Sequence, residues 1–158
     1  MNKEITVRNA TASDLNTIGI LWAEFMDFHK DRDPHFERAD DGIEQFSKFI
    51  GEQINDNFSC VFVAEDSKEI IGYCLAKKMQ SPKVFKNRDF GMIYDLAVTE
   101  KYRRIGIGKK LYKEAELWLK AQGVHRIEIR VVSTNEVSIS FWNKMGYNPY
   151  VTTVFKNI

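Results

Sequence analysis

Leu96-Ala97-Val98-Thr99-Glu100-Lys101-Tyr102-Arg103-Arg104-Ile105-Gly106-Ile107-Gly108-Lys109 is the stretch that decides the fold. It reads as the end of a buried strand, a short turn and a helix that opens on glycines. Upstream, Met92 to Val98 is apolar apart from Asp95. Downstream, Ile107, Leu111, Ala115 and Trp118 recur at helical spacing. Between them lies Arg103-x-x-Gly106-x-Gly108. Glycines at a helix start let a ligand come close to the backbone. The first N–H groups there lack intrahelical partners and sit at the positive end of the helix dipole. Such a place suits phosphate, and Arg103, Arg104 and Lys109 add charge. The bare pattern equally describes an ordinary strand-to-helix turn beside a solvated basic face. It lacks the third glycine of a dinucleotide fingerprint and the Gly-Lys-Ser/Thr of a P-loop.

Working outward, Ile5 to Arg8 alternates and reads as an edge strand. Thr11-x-x-Asp14 resembles a capping box. Leu15, Ile18, Trp22, Phe25 and His29 then mark an amphipathic helix that runs out before Pro34. A second helix starts near Asp40-Asp41 and carries Ile43, Phe46, Ile50 and Ile54. Phe58 to Ala64 and Ile70 to Lys77 form a hairpin around Ser67-Lys68. That register pairs Cys60 with Leu75 and Cys74 with Val61, which puts the two thiols on opposite faces. Phe90 to Val98 is the central strand and Gly106 to Gln122 the central helix, closed by Gly123. His125 to Val132, a helix over Asn135 to Met145, and a final strand over Tyr147 to Phe155 complete the order β-α-α-β-β-β-α-β-α-β. The fold class is α/β, a mixed β-sheet flanked by helices. The strand–helix–strand unit from 90 to 132 is its parallel part, and ligands lie off the carboxyl ends of such strands.

A chain of 158 residues fits one domain, spanning 1–158. With 23 basic and 22 acidic residues, its near-zero charge gives no footprint for nucleic acid or an anionic membrane. The opening Met1-Asn2-Lys3-Glu4 is not the start of a signal peptide, and no apolar run reaches the length of a spanning helix. Two cysteines in separate strands fit a reduced, cytoplasmic protein. His29 and His35 with nearby aspartates show no metal-ligand spacing, so no metal is expected.

A second motif, Asn135-x-x-Ser138-x-x-Phe141-Trp142-x-x-x-Gly146-Tyr147, reads piecewise as a helix N-cap, core aromatics and a C-cap glycine. Together and in this order, the two motifs resemble the GNAT superfamily of acyl-CoA-dependent N-acetyltransferases. The likeness in element order covers residues 5 to 155. It implies an N-acetyltransferase that uses acetyl-CoA, acts on a small-molecule or peptide amine, and commonly dimerises as a homodimer. In that family the coenzyme pyrophosphate sits on the turn, which maps to Arg104, Ile105, Gly106, Ile107, Gly108 and Lys109, with Arg103 opening the motif. The pantetheine arm runs along the preceding strand, mapping to Leu96, Ala97 and Val98. That strand commonly bulges, which frees backbone groups. Asn135 maps to a residue that contacts the coenzyme arm.

For the chemistry, a backbone N–H at Leu96 or Ala97 is the candidate oxyanion donor. Asp95 is the candidate base, if burial raises its pKa, and Tyr94 lies beside it as a candidate wall of the acceptor pocket. One position departs from the family pattern. Its Phe-Tyr, whose tyrosine often serves as general acid, is Phe141-Trp142 here, and indole offers only an N–H. Trp142 can still pack against the coenzyme arm. The departure keeps a second reading open, an acyl-CoA-binding module without efficient catalysis. From Glu24 to Glu44 there are eight acids against Lys30, Arg32 and Arg38. That excess suits either a cationic amine or a plain solvated rim.

Overall fold

The computed structural model describes residues 5–158, so the opening residues 1–4 lie outside it. Strands β1 (Thr6–Asn9), β2 (Ser59–Asp66), β3 (Glu69–Gln80), β4 (Asp89–Val98) and β5 (Ile127–Ile129) form one sheet in the order β1-β2-β3-β4-β5. The first four are antiparallel neighbours, and β5 lies parallel to β4. The α/β mixed sheet is as the sequence predicts.

Helices α1 (Leu15–Lys30) and α2 (Gly42–Ile54) cover one face. There Ile18, Leu21 and Ile50 pack on Val61, Val63, Tyr73, Leu75 and Ala97. Helix α3 (Ile107–Ala121) covers the other face. It sets Ile107, Leu111, Ala115 and Leu119 against Phe62, Cys74, Ala76 and Ile93. Trp142 of α4 (Glu136–Lys144) extends the same cluster. The alternation along β2 and β3 therefore feeds two cores, and both faces of the central strands are apolar.

Asp14 ties the start of α1 to the sheet. Its carboxylate accepts the Thr11 N–H at 2.8 Å and two hydrogen bonds from the Arg8 guanidinium at 2.8 and 3.0 Å. The bond from Arg8 is the main reason its carboxyl is held below the usual range.

Three expectations need correcting. First, the hairpin turns at Ser67 and Lys68, both at positive φ, and Asp66 pairs with Glu69 as expected. However, the register shifts between Ala64 and Glu65, with Ile71 the extra residue, so Cys60 pairs with Ala76 and Phe62 with Cys74. The bulge turns every later residue of β3 over. Both cysteines thus lie in the α3-side cluster as free thiols. Burial pushes the Cys60 thiol up to about 12. Second, the strand predicted over 125–132 is only Ile127–Ile129, because β4 leaves it beyond Ile93. Third, no strand forms over 147–155. No backbone hydrogen bond joins residues 148–158 to the described chain.

Candidate functional site

The site grows from a second bulge, in β4. Ala76 pairs with Ile93 but Leu75 pairs with Asp95, so Tyr94 is the extra residue. The bulge has two consequences. The β4–β5 ladder ends at Ile93 with Ile129, and the two strands part there. The backbone phase also changes. Gly91 donates outward to the Arg126 carbonyl at 2.7 Å, whereas Thr99 donates inward to the Ile71 carbonyl at 3.0 Å. Counting back in alternation from Thr99, Ala97 and Asp95 also face β3, while Leu96 and Val98 face the open side. Of the two backbone donors the sequence leaves open, the bulge therefore turns Leu96 outward and Ala97 inward.

Between the parted strands lies a narrow cleft, lined on one side by Tyr94, Asp95 and Leu96. Residues 129–132, Asn135, Ser138 and Trp142 form the other side, and Phe25 and His29 of α1 close it. Asp95 pairs with Leu75, whose side chain belongs to the α1/α2 core. Its carboxyl accepts no hydrogen bond from a described residue. Although its surface in the cleft is partly open, the protein packed around it pushes the carboxyl from 3.8 up to about 7. Among the described residues it is the only acidic group on the cleft wall. Tyr73, on the neighbouring strand, has a fully buried hydroxyl with no partner among the described residues. Burial, and after it the charge of Asp95, push that hydroxyl up.

The turn after β4 is braced from α1. Glu24 accepts from Thr99 Oγ1 at 2.9 Å, from the Glu100 N–H at 2.8 Å and from Arg103 Nη2 at 3.2 Å. Arg103 also donates through Nε to the Val98 carbonyl at 2.9 Å. Its side chain is thus a strut within the protein, while Arg104, Ile105, Gly106 and Lys109 are exposed. Arg104 and Gly106 have φ of 65° and 90°. These left-handed residues swing the chain into α3 without a side-chain cap. The first helical bond is Lys110 N–H to the Gly106 carbonyl at 3.1 Å. The N–H groups of Ile107, Gly108 and Lys109 therefore have no intrahelical acceptor. Glu24→Ala removes all three braces and is expected to cost about 1–2 kcal/mol. A thermal melt checks this; an unchanged midpoint would mean that the turn holds itself.

The second motif is helix α4 and its ends. Asn135 is buried, and its Oδ1 accepts the Ser138 N–H at 3.1 Å, so its amide NH2 is what it can offer to the cleft. Gly146 at φ 90° ends the helix. Trp142 packs edge-on against Tyr112, Phe141 and Tyr147. The Tyr147 hydroxyl donates to that of Tyr112 at 3.1 Å, and burial is the first cause that raises both. Neither phenol lines the cleft.

The structure thus brings Tyr94, Asp95, Leu96, Asn135 and Trp142 to one cleft and sets the open turn at the end of β4. Ala97 turns its side chain into the α1/α2 core and Val98 turns toward α3. Phe25, His29, Arg130 and Ser138 were missed as site residues. His29 reads in sequence as one more apolar-face position. In fact its ring is buried, with Nδ1 donating to the Phe25 carbonyl at 2.9 Å. No periodicity shows that α1 passes the parting of β4 and β5.

The acidic segment is largely spent on itself. Asp27 pairs with Arg38 at 3.0 Å, Glu37 with Lys30 at 2.7 Å, and Glu24 braces the turn. Asp40, Asp41 and Glu44 line a separate open depression between the start of α1 and α2, away from the cleft. Among the described residues no group of three His, Cys, Asp or Glu could hold a metal ion. No described helix is long and apolar enough to cross a membrane.

Known proteins share both the sequence pattern and the fold. Residues 20–147 match the model of the acetyltransferase (GNAT) family. An N-alpha-acetyltransferase of Sulfurisphaera tokodaii is 30% identical over 110 residues, covering 63% of this chain and 62% of the relative. The chain thus spans about six-tenths of the length of that curated relative. A mutant protein from Bacillus halodurans superposes with a TM-score of 0.88 at 24% identity, over 97% of this chain and 99% of that one. An aminoglycoside N-acetyltransferase in complex with CoA superposes with a TM-score of 0.73 at 14% identity, over 100% and 97% of the two chains.

Proposed function

The chain belongs to the acetyltransferase (GNAT) family, a family of acyltransferases, and we propose that the whole chain is one N-acetyltransferase domain that moves an acetyl group from acetyl-CoA to a primary amine. The observation that carries this is the succession of three features along β4 and the turn that follows it. These are the uncapped N–H groups of Ile107, Gly108 and Lys109, the outward backbone of Leu96, and the buried carboxyl of Asp95. The first suits a pyrophosphate, with Arg104 and Lys109 exposed beside it. The second suits an amide-bearing arm laid along the strand, as one more strand would lie. Bound acetyl-CoA would supply the activated thioester.

In this reading Asp95 takes a proton from the acceptor ammonium, directly or through water, and leaves a neutral amine. The amine nitrogen forms the new C–N bond as the C–S bond breaks. The proton shed by that nitrogen balances the one gained by the thiolate. The Leu96 N–H is the donor aimed at the carbonyl oxygen as charge develops on it. With Trp142 in the cleft and Tyr112 and Tyr147 behind it, no phenol at that position protonates the leaving sulfur. A coenzyme thiol is acidic enough for water to do so. Tyr94, 47% exposed on the cleft wall, borders the acceptor side.

The acceptor is a small-molecule or peptide amine. The structural neighbour acts on aminoglycosides by its name, and a cationic amine would find Asp95 as its carboxylate partner. Release of free thiol from acetyl-CoA, followed over a panel of polyamines, aminoglycosides and lysine peptides, tests the proposal. Turnover with one class is the expected result. Tight coenzyme binding without turnover on any amine would support a binding module instead, the reading that Trp142 favours.

A further inference from the structure

Making an amide from an ammonium removes two protons from one nitrogen. In the acyltransferase reading, on which this inference rests, Asp95 takes the first, and a carboxylate holds only one. The second leaves as the C–N bond forms, because the nitrogen is then cationic. Among the described residues no other carboxylate lines the cleft. Arg130 and Trp142 offer N–H donors only, and Asn135 and Ser138 are an amide and a hydroxyl. The remaining nitrogen with a basic lone pair belongs to the His29 imidazole.

His29 stands in the last turn of α1, and its Nδ1 lies 2.9 Å from the Phe25 carbonyl oxygen one turn back. A carbonyl only accepts, so Nδ1 carries the proton of the neutral ring and Nε2 keeps its lone pair. Nε2 has no hydrogen-bond partner among the described residues. It is not sealed in either. A sealed Nε2 would be a buried orphan, and among the described residues the Tyr73 hydroxyl is the only side-chain atom of that kind. The ring is also held in place. Phe25, Phe28 and Phe36 surround it, with centroids at 4.3, 5.6 and 5.6 Å and planes inclined by 61°, 73° and 67°. A flip about Cβ–Cγ would set a carbon against the Phe25 carbonyl and lose the Nδ1 bond. The helix ends one residue later, at Lys30, so a transient positive charge on the ring meets the negative end of the dipole.

We propose that His29 Nε2 opens on the cleft and takes the second proton from the acceptor nitrogen. The ammonium first gives one proton to the Asp95 carboxylate. The neutral nitrogen then uses its lone pair for the C–N bond and becomes cationic. It gives its second proton to Nε2, and the electron pair of the C–S bond leaves with sulfur. Water supplies the proton of the leaving thiolate, and Asp95 and His29 return theirs to water. One proton is released per turnover. The Nδ1–H bond to Phe25 persists in both charge states of the ring, so the transfer needs no reorientation.

The experiment compares the wild type with His29→Gln and His29→Ala, using the amine that gives the fastest release of thiol. Glutamine offers a hydrogen-bond acceptor near the place of Nε2 but no proton acceptor. Its kcat is expected to fall roughly 10–100-fold, the low end of acid–base catalysis because water can stand in, with both KM values within a few-fold of the wild type. Added imidazole is expected to restore turnover to the alanine variant. Pyrrole, a ring of the same size without a basic nitrogen, is expected not to, whereas a merely structural role would respond to both. Nitrogen-15 NMR of the wild type without substrate, at pH 8, is expected to show Nδ1 protonated and Nε2 bare for the imidazole signal that His29→Gln removes. If the alanine variant does not fold, the glutamine variant and the nitrogen spectrum decide. Wild-type kcat in His29→Gln, equal rescue by pyrrole, or a proton on Nε2 would each overturn the proposal and leave the acyltransferase reading standing. A wild type that releases thiol with no amine would overturn both.

Discussion

Gly108→Trp is expected to abolish coenzyme A binding in a protein that still folds. Gly108 is the second residue of α3, and its N–H is one of three that point off the helix end. A Cβ placed there meets Leu96 Cδ2 at 3.4 Å and Phe141 at 3.6 Å, which is ordinary contact. A methyl group therefore fits behind the turn, but an indole does not and must swing forward over the N–H groups. Blocking two charge-assisted hydrogen bonds, each worth about 1.5–3 kcal/mol, predicts a loss of affinity of roughly 100-fold or more. Crowding against Leu96 and Phe141 is expected to cost about 1–3 kcal/mol of stability. Gly108→Ala is the control. It gains roughly 0.5–1 kcal/mol of helix stability and is expected to bind coenzyme within a few-fold of the wild type. Calorimetric titration of both variants, alongside thermal melts, decides the matter. Unchanged affinity in the tryptophan variant would remove the α3 N-terminus from the site.

Asp95→Asn is expected to make the protein slower and more stable at once. Loss of the proton acceptor lowers turnover roughly 100-fold or more, while coenzyme affinity changes little, because Asp95 faces the α1/α2 side rather than the turn. The stability change follows from linkage. The folded Asp95 titrates at about 7 against an ordinary 3.8, so between those pH values the native state holds a proton that the unfolded chain has lost. Stability contributed by the protonated carboxyl is complete below the lower value and fades as pH rises through the upper one. Asparagine does not titrate. The variant should match the wild type near pH 4 and exceed it at pH 8, by about 1–2 kcal/mol after allowance for the open side of the cleft. Denaturant melts at the two pH values test this. Wild-type turnover would excuse Asp95 from the chemistry, and an equal stability offset at both pH values would mean that its carboxyl is not held protonated. The same titration predicts wild-type turnover rising with pH through about 7.

Much of this protein was legible in its residues. The glycine-led start of α3, the bounds of α1, the hairpin tip at Ser67-Lys68 and the cap at Asn135 each follow from local chemistry, and each stands where expected. The family resemblance also rested on residues alone, through two motifs 29 positions apart from Gly106 to Asn135. What failed were pairings. The bulge at Ile71 put both cysteines on one face, and nothing in Ile70-Ile71-Gly72 marks it, because either isoleucine fits either face of a sheet covered on both sides. The tail from Tyr147 has the composition of a strand, but a strand also needs an edge to pair with.

The sequence by itself determined the helix start proposed as an anion seat, because uncapped N–H groups, glycines and periodicity are properties of neighbouring residues. Only the tertiary structure decided how that seat is completed. The extra residue at Tyr94 parts β4 from β5, turns the Leu96 backbone outward and buries Asp95 against α1 and α2. Arg103, read as a charge for the ligand, became the strut that ties the turn to Glu24 and Val98. Register, burial and the sharing of one cation among several acceptors depend on groups far apart along the chain, and their positions exist only once the sheet has formed.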